Sequence, residues 1–127
     1  MYETIIIATC LAAIALSGCE SAPQWTSGNY EVYSMGGQSE LEFGVDVGGG
    51  IQGLVNPLVT GVGEDALWIV VKQHPNGDKT KTDYFYLPKR SSDEQKKGFD
   101  VAQGPFSETE FKQKTNDLKL PPFSRYF

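Results

Sequence analysis

Apolar and polar residues alternate with period two across 39–47. Leu41, Phe43, Val45 and Val47 fall on one side, Glu40, Glu42 and Asp46 on the other. Successive side chains of a strand point to opposite faces, so this stretch predicts a half-buried strand with one wet face. Just upstream, Tyr30-Glu31-Val32-Tyr33-Ser34-Met35 is rich in residues that favour strands, and Gly36-Gly37 supplies a turn, which together predict a hairpin. Gly48-Gly49-Gly50 and Pro57 then interrupt the pattern. They leave a loop with a bulged or short edge strand at 51–55.

A second hairpin follows. Ala66-Leu67-Trp68-Ile69-Val70-Val71 is a continuous apolar run suited to a central strand, and Thr82-Asp83-Tyr84-Phe85-Tyr86-Leu87 is an aromatic one. The connection contains His74-Pro75-Asn76-Gly77-Asp78. A two-residue Asn76-Gly77 turn asks Pro75 for a backbone donor it lacks, so a three-residue loop is expected. Pro75 and Asn76 then sit at the centre of a type I turn, with Gly77 in the left-handed bulge position. That register sets His74 across from Asp78 and Trp68 across from Tyr84.

Ser107-Glu108-Thr109-Glu110 reads as a helix-capping box, with Phe106 and Phe111 at the staple positions on either side. Gly104 and Pro105 mark a loop before it. Phe111, Leu118 and Leu120 give the helix a weak apolar stripe, and Pro121-Pro122 is expected to end it. The aromatic tail Phe123-Ser124-Arg125-Tyr126-Phe127 is expected to pack back on the domain. An outer-membrane barrel is a poor fit, because eight strands of about ten residues would use nearly the whole chain and leave none for the helix. The expected fold is α+β: a small antiparallel sheet of two hairpins, about four to five strands, covered by one C-terminal helix.

Ahead of these elements runs an apolar stretch, 5–16, of about the length of a signal-peptide core and short of the ~20 residues that cross a bilayer. It closes on Leu16-Ser17-Gly18-Cys19. This arrangement resembles the lipobox of bacterial lipoprotein precursors. One feature departs from that family: Met1-Tyr2-Glu3-Thr4 holds no Lys or Arg, whereas secretory signals begin with positive charge. The resemblance implies a signal peptide at 1–18 and cleavage before Cys19. It also implies a diacylglyceryl thioether on the Cys19 sulfur and an acyl chain on its amino group. Residues 19–28 then form the lipidated cysteine and a short polar tether, and 29–127 a single small domain. Trp25, within the tether, suits either a membrane interface or an edge of the domain.

Cleavage removes Cys10, so Cys19 becomes the only cysteine, with its sulfur occupied. Burial and hydrogen bonds alone must hold the domain, and no thiol remains for catalysis or metal binding. The chain carries 16 Asp and Glu against 11 Lys and Arg. Loss of Glu3 with the signal leaves a net charge near −4, with the two signs interspersed. That balance gives no basic field for nucleic acid or anionic lipid, so attachment depends on the acyl chains, two or three of which anchor stably.

Candidate chemistry is sparse. Neither a phosphate-binding loop nor a dinucleotide fingerprint accompanies the glycines. His74 is the only histidine. A histidine-rich metal site is thereby excluded, and any Ser-His-Asp set would have to use this turn residue. Glu40 and Glu42 on the wet side of a strand are expected to solubilise rather than to catalyse.

The succession Ile69-Val70-Val71-Lys72-Gln73-His74-Pro75, Asp83-Tyr84-Phe85-Tyr86 and Gly104-Pro105-Phe106-Ser107 with Glu110-Phe111 is similar to a family of small bacterial envelope lipoproteins with no assigned activity. It covers about half of the mature chain and implies an envelope-anchored module without a reaction. The function expected is a non-catalytic binding or inhibitory module without cofactor or metal. Trp68, Tyr84 and Tyr86 are its candidate surface, and its partners are the membrane, through Cys19, and an envelope protein. The alternative is a small envelope hydrolase using Glu64 and Asp65. Glu20 after the cysteine, in place of the Asp that resembles an inner-membrane retention signal, implies the periplasmic face of the outer membrane in a Gram-negative host.

Overall fold

The computed structural model describes residues 22–34, 36 and 40–127. The stretch expected to be a signal peptide, 1–18 with Cys10, the expected acylation position Cys19, Glu20 and the expected turn residue Gly37 lie outside the described residues.

The alternation in the first half forms a four-stranded antiparallel sheet, sheet A. Its strands β1 (Trp25–Ser27), β2 (Tyr30–Ser34), β3 (Leu41–Asp46) and β4 (Ile51–Val55) lie side by side in chain order. As the period-two pattern predicts, Leu41, Phe43 and Val45 are buried while Asp46 is exposed. The first hairpin is the expected one, with Tyr30 opposite Val45 and Ser34 opposite Leu41. β4 is an edge strand with a register shift against Phe43 and Gly44, so the expected bulged edge at 51–55 is present. β1 begins inside the stretch expected to be tether: Trp25 pairs with Val32 and packs against the core, 6.3 Å from the Phe43 ring. The strands among the described residues therefore begin at Trp25.

Sheet B holds β5 (Val59–Glu64), β6 (Trp68–Gln73), β7 (Asp83–Pro88), β8 (Gln103–Phe106) and β9 (Arg125–Tyr126), in the order β8-β7-β6-β5-β9. The inner faces of the two sheets make the main core. Tyr30, Phe43 and Val45 of sheet A meet Val62, Ile69, Val71 and Leu87 of sheet B, all 0 % exposed. The other face of sheet B is covered too. Val70 packs there with Phe111 of helix α2 (Glu108–Leu118) and with Leu120. Sheet B is thus a middle layer, which is why Ile69, Val70 and Val71 are all buried and why β6 is apolar at successive positions.

The expected single sheet of four to five strands is corrected to two sheets, holding nine strands among the described residues. The alternation seen in β3 has only one face to bury, and the chain meets that need by folding its second half over the first. The reversal at 56–58 separates β4 from β5, so the second half starts a new sheet instead of extending the old one. β8 also replaces the loop expected at Gly104 and Pro105, its residue Phe106 lying opposite Tyr84.

The register of the second hairpin is also corrected. Trp68 lies across from Pro88, Lys72 from Tyr84 and Gln73 from Asp83. His74 leaves the hairpin to exchange two backbone hydrogen bonds with Leu58, at 2.8 and 3.1 Å. Asn76 and Gly77 both take positive φ, 56° and 75°, and the Asp78 N–H closes the turn on the Pro75 carbonyl, a geometry that needs no donor from Pro75. Asp78 then builds a second turn by accepting from the Thr80 N–H at 2.9 Å and its hydroxyl at 2.6 Å. Those two turns postpone β7 until Asp83.

At α2 the capping box forms as expected. The Ser107 hydroxyl accepts from the Glu110 N–H at 3.2 Å, and the Ser107 N–H donates to the Glu110 carboxylate at 2.8 Å. The helix stops at Leu118, before Pro121-Pro122, because Lys119 turns left-handed at φ 58°. The tail then crosses the outer face of sheet B and joins its edge as β9, with Tyr126 opposite Gly61. Phe127 reaches the main core and Phe123 the cluster beside α2, which meets the expectation that the tail packs back on the domain.

Candidate functional site

Among the described residues, sheet B is covered on both faces and sheet A on one. The uncovered face of sheet A presents the residues that alternate with its core: Glu31 and Tyr33 from β2, Glu42, Gly44 and Asp46 from β3, and Ile51 and Gly53 from β4. Gly44 and Gly53 are directly paired, so the middle of this face has no side chains of its own. Three side chains lie over the gap. A Cβ on Gly44 would stand 2.9 Å from Ile51 Cγ2 and 3.1 Å from the Tyr33 ring, and a Cβ on Gly53 would stand 3.0 Å from Glu42 Oε1. The Tyr33 hydroxyl donates to that same carboxylate oxygen. Glycine at both positions lets a phenol and a carboxylate lie flat across the sheet.

The face is electrostatically one-sided. Burial, and then the neighbouring Asp46 charge, push the Glu31 carboxyl above its ordinary range. Burial raises the Tyr33 phenol, and its hydrogen bond to Glu42 raises it further, so at neutral pH Tyr33 is a firm donor. Exposed Ile51 stands at the rim, across from Asp46. Carboxylates, a tyrosine and an isoleucine over glycines can receive a basic or amphipathic partner.

Behind the end of this face lies a buried polar network. The Tyr30 hydroxyl donates to Asp100 Oδ1 at 2.9 Å and accepts from the Arg90 N–H at 3.2 Å. Gln95, on the short helix α1 (Ser92–Gln95), accepts from the Asn29 N–H and donates to the Arg90 carbonyl, each at 2.7 Å. These bonds fasten the 89–100 excursion of sheet B to the start of β2. Burial pushes the Tyr30 phenol up to about 12. Asp100 is 2 % exposed, Arg90 Nε lies 3.6 Å from its Oδ1, and its Oδ2 has no partner among the described residues.

Burial raises the Asp100 carboxyl more than Tyr30 and Arg90 lower it. A carboxyl raised in the folded state contributes stability that is fully present below its unfolded pKa of about 4 and is lost as pH rises through the folded value. The stability of the wild type relative to Asp100→Asn is therefore expected to fall as pH rises from about 4, then to level off. Urea midpoints of both proteins between pH 4 and 7.5 measure this. A pH-independent difference would contradict the raised carboxyl, and a rising one would make Arg90 the dominant influence.

Trp68, Tyr84 and Tyr86, expected as a binding surface, all lie on the outer face of sheet B, half-buried in the cluster beside α2. The Tyr84 ring stacks on Phe111 at 5.0 Å, Tyr86 on Phe106 at 5.7 Å, and Trp68 meets Tyr86 edge-on at 5.6 Å. Their bodies serve packing.

Glu64 and Asp65 are both occupied. Glu64 Oε1 accepts from Lys89 Nζ at 2.5 Å and from the Ser27 hydroxyl at 2.6 Å. Burial raises the Glu64 carboxyl, and the bonds from Lys89 and Ser27 outweigh it and hold the group below its ordinary range. Asp65 Oδ1 accepts from the N–H groups of Leu67 and Trp68, each at 2.8 Å, as a turn cap does. His74 Nδ1 lies 2.9 Å from the Lys81 carbonyl. His74 stands apart from both carboxylates: Glu64 and Asp65 lie at the turn before β6 and the imidazole at the loop after it.

Among the described residues, no cluster of three or more His, Cys, Asp and Glu could hold a metal ion. An open cleft of about 170 Å³ between Leu41, Leu58, Thr60 and Phe127 is smaller than the ~300 Å³ at which ligand pockets begin. The glycine-floored face was missed in the sequence because Gly44 and Gly53 become neighbours only through the bulged β3–β4 register, whereas the wetness of the Glu42 side was legible. No known family model matches the chain, and no significant match is found among curated proteins or among solved structures.

Proposed function

We propose that the protein is a bacterial envelope lipoprotein, anchored through an acylated Cys19, whose domain is a non-catalytic binding module with the outer face of sheet A as its docking surface. The observation that carries the docking surface is the coverage of the layers. Sheet B has core on one face and α2 with the tail on the other, while among the described residues no element packs over the face of sheet A that carries half-buried Glu31, Tyr33 and Glu42 and exposed Asp46 and Ile51 around paired glycines. The anchor rests on the lipobox-like Leu16-Ser17-Gly18-Cys19, and Glu20 after it favours the periplasmic face of the outer membrane in a Gram-negative host.

The chain enters sheet A at Trp25, beside Val32, and β1 runs from there toward the Gly28-Asn29 turn. A tether ending at Trp25 would leave the Asp46 and Ile51 end of the docking face pointing away from the membrane. The expected partner is an envelope protein with a basic surface.

Affinity capture of the lipidated protein in its own membrane, after cross-linking, tests this reading. A partner recovered with the wild type and with Glu64→Ala, and lost with the double variant Glu31→Lys, Asp46→Lys, is the expected result. The same partner captured equally by all three proteins would place the docking surface elsewhere. Loss with Glu64→Ala alone would favour the carboxylates at the β5–β6 turn.

A further inference from the structure

β4 is an open sheet edge. Its backbone pairs with β3 on one side, and on the other side no backbone group of Ile51–Val55 has a hydrogen-bond partner among the described residues. The other three sheet edges are blunted. β1 is three residues long, β9 is two, and β8 carries Pro105, which has no N–H to offer. β4 has five residues, no charge and no proline, and Pro57 comes only after it. An unprotected edge of this kind is a template for an added strand.

The chemistry beside the edge selects the strand. Glu42 belongs to β3 but lies over Gly53, so its carboxylate reaches the edge strand through the space a side chain would fill. Ile51, 43 % exposed, stands two positions away on the same face. A strand laid along β4 would therefore place one outward side chain beside Glu42 and the next outward one beside Ile51. Like charge disfavours a second copy of this chain, which brings its own Glu31, Glu42 and Asp46 and, once Glu3 leaves with the signal, a net charge near −4.

We infer that β4 is a strand-addition site for an extended segment of a partner protein carrying a Lys or Arg and an apolar residue two positions apart on one face. The basic group would pair with Glu42 and the apolar one would cover Ile51, while the backbone hydrogen bonds supply the rest of the affinity. This rests on the docking face proposed above and adds the mode of binding and the class of segment.

The test uses the full lipidated protein in nanodiscs and three eight-residue peptides. One alternates Val and Thr with a central Lys two positions from an Ile; the second replaces that Lys with Glu; the third carries N-methyl groups on the amides that would face β4. The first peptide is expected to bind and to slow hydrogen exchange at 51–55. The Glu peptide, the N-methylated peptide and the Glu42→Gln protein are each expected to weaken binding by about tenfold or more, as loss of a charged hydrogen bond or of the backbone ladder requires. Equal binding of the N-methylated peptide, or protection outside 51–55, would overturn strand addition. Protection of 51–55 without peptide, with a dimer in solution, would make a second copy the occupant. If cross-linked capture depends on Glu31 and Asp46 but no peptide protects β4, the docking face stands and strand addition fails.

Discussion

Phe43→Ala is expected to destabilise the domain by about 3–5 kcal/mol, the range for removing a fully buried phenylalanine. Phe43 is 0 % exposed and sits where both sheets and the entry strand meet: its ring stacks on Tyr30 at 6.0 Å and approaches Trp25 at 6.3 Å. The layers above it are rigid sheets, so the space would not close by collapse. For a domain of about 100 residues that loss lowers the melting temperature by roughly 15–30 °C. Thermal unfolding followed by circular dichroism measures it. A loss near that of an exposed position, within about 0.5 kcal/mol, would mean that the two sheets do not share one core.

The second large effect is expected at Gly63, where the tail crosses sheet B. A Cβ there would stand 2.1 Å from the Pro122 carbonyl oxygen and 3.0 Å from Phe123 Cα, so Gly63→Ala must lift the backbone of the tail. The displaced segment carries Phe123, packed beside Phe111 at 5.9 Å, and the bonds from the Ser124 N–H to the Val62 carbonyl and from the Phe127 N–H to the Thr60 carbonyl. Overpacking of this kind costs about 1–3 kcal/mol, and the upper end is expected because the obstacle is backbone. Removal of residues 123–127 should cost much less in Gly63→Ala than in the wild type, since the contacts are already lost. Additive losses from the two changes would show that Gly63 and the tail act independently.

These expectations depend on features that were unequally legible in the sequence. The β3 alternation, its pairing with β2, the bulged edge at 51–55 and the capping box of α2 all rest on contacts within a few residues, and all four are present. The continuous apolar run at 66–71 correctly marked a central strand, yet nothing local said that its second cover was another sheet as well as a helix. β1 and β9 have three and two residues, too few to show a period. The register of the β6–β7 hairpin escaped because Asp78 spends its carboxylate on Thr80 and builds a second turn, a choice made by side-chain hydrogen bonding rather than by the turn residues alone. At the candidate site, the polarity of the Glu42 side was readable. Its meaning was not, because Gly53 meets Gly44 only after the bulge sets their register.

Nor was it legible locally which face the aromatic residues of sheet B would take. Trp68, Tyr84 and Tyr86 look like a recognition surface as a list, but alternation puts them on the face of sheet B that α2 and the tail cover. Among the described residues, the open face belongs to sheet A, which has fewer large side chains.

Whether this domain works from a lipid anchor on Cys19 is tested by acylation of that residue. Full-length protein and Cys19→Ala are expressed in a bacterial host fed labelled palmitate, and the purified products are weighed intact. Label and acyl mass are expected on a chain that begins at Cys19, with neither on Cys19→Ala. Equal labelling of the two proteins, or a wild-type product that retains residues 1–18 and carries no acyl group, would contradict the lipid anchor.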